Sequence, residues 1–307
     1  MENKKSSLFI SVLSFIIVAA TTLNSCAPKN LESESTSSPC LSSGDIVVSN
    51  SGTDAVIVLN SDGSYKGTAL ELISASENIY GLHYDRISNR LLVVIDGTDR
   101  ILSISPDNCA VSEFSTDTNI AGNMRGITRL SSGDVLVVET AVERLNVLSN
   151  GLGLRTTVGA WPKTLQTGGT GISARTAGGF VHCSSTTDVV RTYDDSGTQI
   201  NTRSSGIAGT TDAMDCRELT SGNIAVSWSG TTDTISIYDS TLSASVATFS
   251  NLTILPTPGG IAQRTNGNLL VLDRVLNHIV EVTEGGSFVQ TLGGALLSTP
   301  EYIEVVP

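Results

Sequence analysis

The sequence predicts an all-β fold in which six four-stranded sheets form a closed ring. Three observations support this. Segments that begin with Gly or Asn and continue as an apolar run recur at intervals of 45, 44, 45, 44 and 45 residues. Similar strand and turn patterns follow each of them. One additional strand, PEYIEVV, follows the last repeat. The six segments begin at Gly44, Asn89, Gly133, Gly178, Gly222 and Gly267.

Each repeat divides into four strands, labelled A to D from the centre outward. The apolar run is strand B, and a polar loop that often contains Thr-Asp, as at Thr53-Asp54, joins it to the alternating strand C. A turn signal such as NSDG then leads to a more polar strand D. Strand B is apolar on both faces, which indicates burial on both faces. Four-stranded units of this length are typical of a β-propeller.

The two ends of the chain predict how the ring closes. The first repeat has no strand A before Gly44, and PEYIEVV aligns with the A strands of the other repeats. We therefore expect the C-terminal strand to complete blade one of a six-bladed propeller. A seventh blade would need another repeat, and an open solenoid would need capping repeats.

The repeats resemble those of the NHL and YVTN propeller families, whose blades read roughly G-N-I-Y-V-A-D, a polar loop and R-I-x-V-F-D. GNIAVSWS and RILSIS are examples here, and the resemblance covers residues 40–307. It implies the propeller fold. It does not imply one function, because such rings include binding scaffolds, lactonases and lyases.

The N-terminus has the pattern of a secretion signal. Lys4 and Lys5 precede the apolar stretch LFISVLSFIIVAA, which is too short to span a membrane comfortably. The following Leu23-Asn24-Ser25-Cys26 resembles the lipobox of bacterial lipoprotein precursors, which implies cleavage after Ser25 and acylation of Cys26. An ordinary secretion signal with an incidental cysteine is the alternative. We expect a signal peptide at 1–25, a lipidated Cys and flexible tether at 26–39, and the propeller at 40–307.

Charge and context limit the partners. Ala27 follows the cysteine where enteric lipoproteins retained in the inner membrane carry Asp, so the resemblance favours the outer membrane. The net charge is −12 and no basic patch is visible, which argues against nucleic acid as a partner. We expect a monomeric domain, held at the membrane by its lipid, with an envelope protein or glycan as partner.

Four further cysteines permit two disulfides in an exported domain. Cys40 and Cys109 are expected in neighbouring blades, as are Cys183 and Cys216, so we predict these two pairings. Buried free thiols are the alternative for both pairs. No spacing of Cys and His suggests a zinc site.

Propeller ligands usually bind at the channel mouth formed by the D–A and B–C loops. Polar residues that end B strands and residues that lead into A strands should meet there, together with one aromatic side chain. Thr170, Ser184, Asp212 and Met214 also lie at such positions. The candidate mouth residues are Asn50, Tyr80, Asp96, Arg125, Glu139, Trp228 and Asp273.

Little in the sequence points to catalysis. Asn50, Glu139 and Asp273 could hold Ca²⁺ through oxygen ligands, in a pattern that resembles the gluconolactonase and senescence-marker family. The alternative is that they cap strands and bind loop amides. The histidines are spread around the ring, and we expect His182 to be a hydrogen-bonded interior residue. We predict no catalytic residues and no cofactor beyond this Ca²⁺. The favoured function is a non-catalytic scaffold, and a metal-dependent lactonase-like hydrolase is the alternative.

Overall fold

The computed structural model describes residues 41–74, 77–98, 100–115, 123–140, 144–148, 169–205 and 210–307. The predicted signal peptide, Cys26, the tether and Cys40 lie outside these residues. In the described part of the chain, no helix is long and apolar enough to cross a membrane.

The described strands form six antiparallel sheets, each of which matches one predicted blade. Blade one contains β1 (Ile46–Asn50), β2 (Ala55–Leu59) and β3 (Tyr65–Glu71). Blade two contains β4 (Asn78–Asp85), β5 (Arg90–Asp96), β6 (Arg100–Ile104) and β7 (Val111–Ser115). Blade three contains β8 (Met124–Arg129), β9 (Val135–Glu139) and β10 (Arg144–Leu148). The fourth strand predicted for blade three, at 154–158, lies outside the described residues.

The remaining blades each have four strands. Blade four contains β11 (Gly169–Ala174), β12 (Phe180–Ser184), β13 (Val189–Tyr193) and β14 (Gln199–Ser204). Blade five contains β15 (Thr210–Glu218), β16 (Ile224–Gly230), β17 (Thr234–Tyr238) and β18 (Ser245–Phe249). Blade six contains β19 (Pro258–Gln263), β20 (Leu269–Asp273), β21 (His278–Val282) and β22 (Phe288–Leu292). The short 3₁₀ helix Gly294–Leu296 leads to the C-terminal strand β23 (Pro300–Val305).

The C-terminal strand completes blade one, as predicted. The sheet order there is β23-β1-β2-β3, and Ile303 pairs with Val48. Two further backbone bonds extend the pairing beyond β23. The Gly44 N–H donates to the Val306 carbonyl at 2.8 Å, and the Val306 N–H donates to the Asp45 carbonyl at 2.9 Å. Both ends of the propeller therefore belong to one sheet.

The apolar core consists of layers between adjacent blades. Each of six clusters of buried side chains joins two neighbouring blades, and one of them joins blade six to blade one through Leu270, Leu272, Ile46 and Val48. An open row of six blades would have five such layers, whereas a closed ring has six. Every B strand is buried along its length, except at the end of β16 and at the first residue of β5. This burial accounts for their continuous apolar runs.

Glycine leads the repeats because of the turn that precedes strand B. Gly44, Gly133 and Gly222 have φ angles of 87°, 92° and 86°, a region that a side chain disfavours. In blade two this position is Asn89, with φ of 51°. Asparagine tolerates the left-handed region better than most residues, so it can replace glycine there.

Candidate functional site

Each inner strand has an irregularity at the same level of the ring. Five of the inner strands place two residues opposite one residue of strand B, which is a β-bulge, and in blade five the register shifts at Met214. Bulges re-aim side chains near functional sites. The bulged pairs are Tyr80-Gly81, Arg125-Gly126, Thr170-Gly171, Gly259-Gly260 and Glu301-Tyr302.

The first residue at each of these positions lines one central cavity, which we call the upper pit. Its volume is about 320 Å³. Thr140, Ser185 and Arg274 complete the wall, and each directly follows a B strand. The upper pit therefore opens on the face of the D–A and B–C loops, where the mouth was predicted. The six inner-strand residues of the wall are Tyr80, Arg125, Thr170, Met214, Gly259 and Glu301.

At the second position of the bulges, four inner strands carry glycine. A Cβ atom at Gly81 would lie 2.0 Å from the Arg125 carbonyl oxygen, and one at Gly126 would lie 2.7 Å from that of Thr170. Neighbouring inner strands thus approach too closely for a side chain. Only blades five and one place a side chain at this level, Asp215 and Tyr302.

Tyr302 forms the floor of the upper pit. Its hydroxyl donates a hydrogen bond of 2.5 Å to the carbonyl of Thr170. Tyr302 belongs to blade one and Thr170 to blade four, which are opposite each other in a ring of six, so the side chain crosses the channel. Burial and then the Asp215 carboxylate raise the pKa of Tyr302 well above its usual value, so the phenol stays protonated.

Two arginines and one acid set the charge of the upper pit. The Arg125 guanidinium lies 3.4 Å from the centre of the Tyr80 ring, and within the described residues Arg125 forms no ion pair. Arg274 pairs with Glu301 at 2.8 Å, while its buried Nε has no partner in the described part of the chain. The pit therefore carries a net charge of about +1 in a chain whose net charge is −12.

Asp215 is buried beside the floor. Its Oδ2 accepts the Ile261 N–H at 2.8 Å, and its Oδ1 accepts the Cys216 N–H at 2.9 Å. Burial raises the pKa of Asp215 to about 6, although the nearby Arg217 and these two N–H donors lower it. Asp215 therefore changes charge close to neutral pH.

The opposite mouth contains a compact charged cluster around a cavity of about 160 Å³. Arg217 donates two hydrogen bonds to the Glu304 carboxylate, at 2.9 and 2.6 Å. The Nδ1 atom of His83 lies 3.8 Å from the same carboxylate. The Nε2 atom of His83 accepts a hydrogen bond from the backbone N–H of Arg129. Burial would raise the pKa of Glu304, but Arg217 and His83 outweigh it and lower the value to about 2. This cluster was not predicted from the sequence.

The candidate mouth residues separate into two groups. Tyr80 and Arg125 line the upper pit. Asn50 is buried and bonded to Thr53 and to the Ser298 N–H. The three acids among the candidates are also buried, and they form hydrogen bonds with nearby residues. Asp96 accepts the Gly97 N–H, Glu139 accepts from Asn146, and Asp273 accepts the N–H groups of Thr257, Val275 and Leu276.

The weak metal hypothesis finds no geometric support in the described residues. Each of the three candidates hydrogen-bonds within its own blade: Asn50 to Thr53, Glu139 to Asn146 and Asp273 to Thr257. Asn50 also accepts the N–H of Ser298, just before the C-terminal strand. Among the described residues there is no group of three or more His, Cys, Asp or Glu side chains that could hold a metal ion. Asn50 and Asp273 match the alternative, in which such side chains accept loop N–H groups, whereas Glu139 accepts the side-chain amide of Asn146.

Two expectations need correction. Trp228 does not reach the mouth, because it is completely buried in the apolar cluster between blades four and five. His182 is an interior residue, but neither of its ring nitrogens has a hydrogen-bond partner among the described residues. Burial, and then the charge of Arg191, lowers the pKa of His182 to about 3, so the ring is neutral.

The cysteines lie partly outside the described residues. Cys109 is buried, but Cys40 is not described, so their pairing stays a prediction. Cys183 and Cys216 lie side by side in blades four and five, as expected. Both are thiols in this structure, and both donate to the Gly171 carbonyl, at 3.6 and 3.8 Å. Their proximity permits the predicted disulfide, which stays a prediction.

Comparisons with solved structures show the fold. The chain is similar to one chain of a nidogen/laminin complex, with a TM-score of 0.72, 14% identity and coverage of 86% of this chain and 98% of that one. A protein of unknown function from Bacteroides caccae gives a TM-score of 0.62, 15% identity and the same coverages. Virginiamycin B lyase from Staphylococcus aureus gives 0.57 and 14%, with 76% of each chain covered. No protein-family model and no curated protein matches the chain.

The chain is thus a six-bladed β-propeller with structural neighbours of the nidogen and virginiamycin B lyase type. Sequence reasoning found four lining residues of the upper pit and missed the others, among them Arg274, Glu301 and Tyr302. An alignment of the six inner strands would have found the last two, because they occupy the bulge positions. Arg274 follows Asp273 at the end of a B strand, so its position was also visible.

Proposed function

We propose that this chain is a lipid-anchored module of the bacterial cell envelope that binds a protein or glycan at the mouth of the upper pit and catalyses no reaction. The observation that carries the proposal is the pit itself. It is a concave site with convergent polar groups, closed below by Tyr302 and built from all six blades.

The chemistry of the wall supports binding over catalysis. A hydrolase needs a base, a nucleophile or a metal ion beside its substrate. The described wall offers two arginines, one acid already paired with Arg274, one tyrosine stacked with Arg125, and small hydroxyl groups. The carboxylate Asp215 lies beneath the wall, where backbone N–H groups hold both of its oxygens. These groups can recognise a ligand, and no set of them forms an acid–base pair.

The anchor rests on the sequence alone. Lys4, Lys5, the apolar stretch and the lipobox-like Leu23-Asn24-Ser25-Cys26 support it. Two or three acyl chains on Cys26 would give stable attachment, where a single chain gives marginal attachment. The Ser- and Glu-rich residues 27–39 would then separate the propeller from the bilayer.

A thermal-unfolding experiment separates this proposal from the hydrolase alternative. A metal ion that binds only the native state raises the unfolding temperature. For the full-length chain in detergent, we expect no change with Ca²⁺, Mg²⁺, Mn²⁺ or Zn²⁺. A clear rise with any one of them would favour a metal-dependent enzyme and would count against a purely binding role.

A second experiment tests the mouth as the binding surface. The full-length chain is used to capture partners from native envelope, in parallel with two variants. Arg125→Gln changes the upper pit, and Arg86→Gln changes a residue that lines the cavity at the opposite mouth. We expect Arg125→Gln to lose the captured species and Arg86→Gln to retain it. If both variants retain it, the partner binds elsewhere and the upper pit is not the site.

A further inference from the structure

We propose that the upper pit binds a small hydroxylated monocarboxylate, the class to which the uronic acids belong. This inference rests on the proposed function, since it names the chemistry of the ligand at the same site. Three features of the pit support it. They are a pre-oriented arginine, a net charge of about +1 on the wall, and hydroxyl groups around a cavity that Tyr302 closes from below.

Arg125 is held ready for a planar anion. Its guanidinium lies against the Tyr80 ring at 3.4 Å, and stacking fixes the plane of the group. A stacked guanidinium can still donate from its N–H edges. Within the described residues no carboxylate pairs with it, although most other arginines of the pit and the opposite mouth have one. A planar fork of donors matches a carboxylate through two parallel hydrogen bonds.

The charge of the pit favours a monoanion. Arg125 and Arg274 contribute two positive charges, and Glu301 contributes one negative charge on the same wall. A phosphate monoester carries about −1.5 to −2 at neutral pH, so part of its charge would face Glu301 uncompensated. The net charge of −12 on the chain also disfavours polyanions. A single carboxylate is the anion that this wall neutralises.

The size and the remaining groups indicate a compact, polar ligand. The volume of about 320 Å³ is near the lower limit of ligand pockets, which are typically about 300–1,000 Å³. The hydroxyl-bearing residues Thr140, Thr170 and Ser185 line the wall, and Met214 supplies an apolar surface. A ring of monosaccharide size with hydroxyl groups fits this combination.

The test is ligand-observed NMR on the full-length chain with glucuronate, galacturonate and gluconate as probes. Glucose serves as the neutral analogue and glucose 6-phosphate as the dianion. We expect saturation transfer to at least one acid, little to glucose, and weaker transfer to the phosphate. Equal signals for acid and glucose would overturn the inference that the pit recognises a carboxylate. A dominant signal for glucose 6-phosphate would show that the pit prefers a phosphate group, which would also overturn it. No signal for any acid at millimolar concentration would overturn the inference.

Variants locate the site. Arg125→Gln should weaken binding of the acid at least tenfold, since charged hydrogen bonds contribute about 1.5–3 kcal/mol. Tyr80→Leu should weaken it by a smaller factor because the guanidinium loses its orientation, and Tyr80→Phe should restore it. Arg86→Gln at the opposite mouth is the matched control and should bind as the parent does. Thermal unfolding of each variant verifies that it is folded.

The same NMR samples distinguish the two levels of failure. If an acid binds and is converted to another compound, the non-catalytic function is wrong while the ligand class stands. If partners are captured through the mouth but no acid binds, the ligand class is wrong while the binding function stands. Unchanged affinity in Arg125→Gln, with the fold intact, would remove the upper pit as the site.

Discussion

Replacing Glu304 with glutamine tests the charged cluster at the mouth opposite the upper pit. Arg217 and His83 hold the pKa of Glu304 at about 2, compared with its usual value of 4.5. Each pKa unit corresponds to about 1.4 kcal/mol, so the ionised carboxylate contributes roughly 3 kcal/mol to folding. Removing one partner of a buried pair costs about 3–5 kcal/mol. Because 23% of the Arg217 side chain is exposed, we expect the lower end of this range, about 3 kcal/mol at pH 7.

The pH dependence gives a second readout. The folded pKa of Glu304 lies below the unfolded one, so its contribution is complete above about pH 5 and disappears as the pH falls toward 2. Urea unfolding of the parent should therefore show a loss of stability over this range. In Glu304→Gln that part of the loss should be missing, because the variant has already lost it at neutral pH.

The matched control is Glu71→Gln, which changes an exposed glutamate on β3. Its free energy of unfolding should stay within about 0.5 kcal/mol of the parent. If Glu304→Gln proves as stable as Glu71→Gln at pH 7 and has the same acid dependence as the parent, the cluster contributes nothing and the reasoning fails.

Three further variants test the floor, the ring and the anchor. Tyr302→Phe leaves the Thr170 carbonyl without its donor and should lower the free energy of unfolding by about 1–2 kcal/mol, against no change for the exposed Tyr65→Phe. Deleting residues 299–307 removes the buried Ile303 and Val306, each contributing about 1.5–3 kcal/mol, so the free energy of unfolding should fall by several kcal/mol. An equally stable truncation would contradict the closed ring. Cys26→Ser should move the chain from the membrane fraction to the soluble fraction, and unchanged fractionation would contradict the lipid anchor.

Most of the fold could be predicted because every repeat meets the same local constraints on backbone conformation and burial. Positive φ angles in the turn before strand B demand Gly44 and its equivalents, and burial of strand B on both faces demands continuous apolar runs. Both constraints act within one blade, so six copies of the pattern reveal six blades. Closure was predictable because the C-terminal strand PEYIEVV repeats the inner-strand pattern at the other end of the chain.

The candidate site was harder to predict because a polar residue at the end of a strand has two possible uses. Asp273 and Asn50 lie at the predicted mouth by sequence position, yet their oxygens accept backbone N–H groups of nearby loops. Sequence position does not reveal which way a side chain points beyond its strand. Trp228 shows the same ambiguity, since its side chain turns into the layer between two blades.

Departures from the repeat locate the channel better than its shared residues do. Four inner strands carry glycine at the second bulge position, because the next strand approaches within less than a van der Waals contact. A side chain at that level must therefore enter the channel, and only Asp215 and Tyr302 occupy it. The same alignment places Arg217 and Glu304 two residues further along their strands, where Arg217 donates two hydrogen bonds to Glu304. In a ring of similar blades, residues that break the internal pattern are those that no single blade requires, so they are the first to examine for a function of the whole ring.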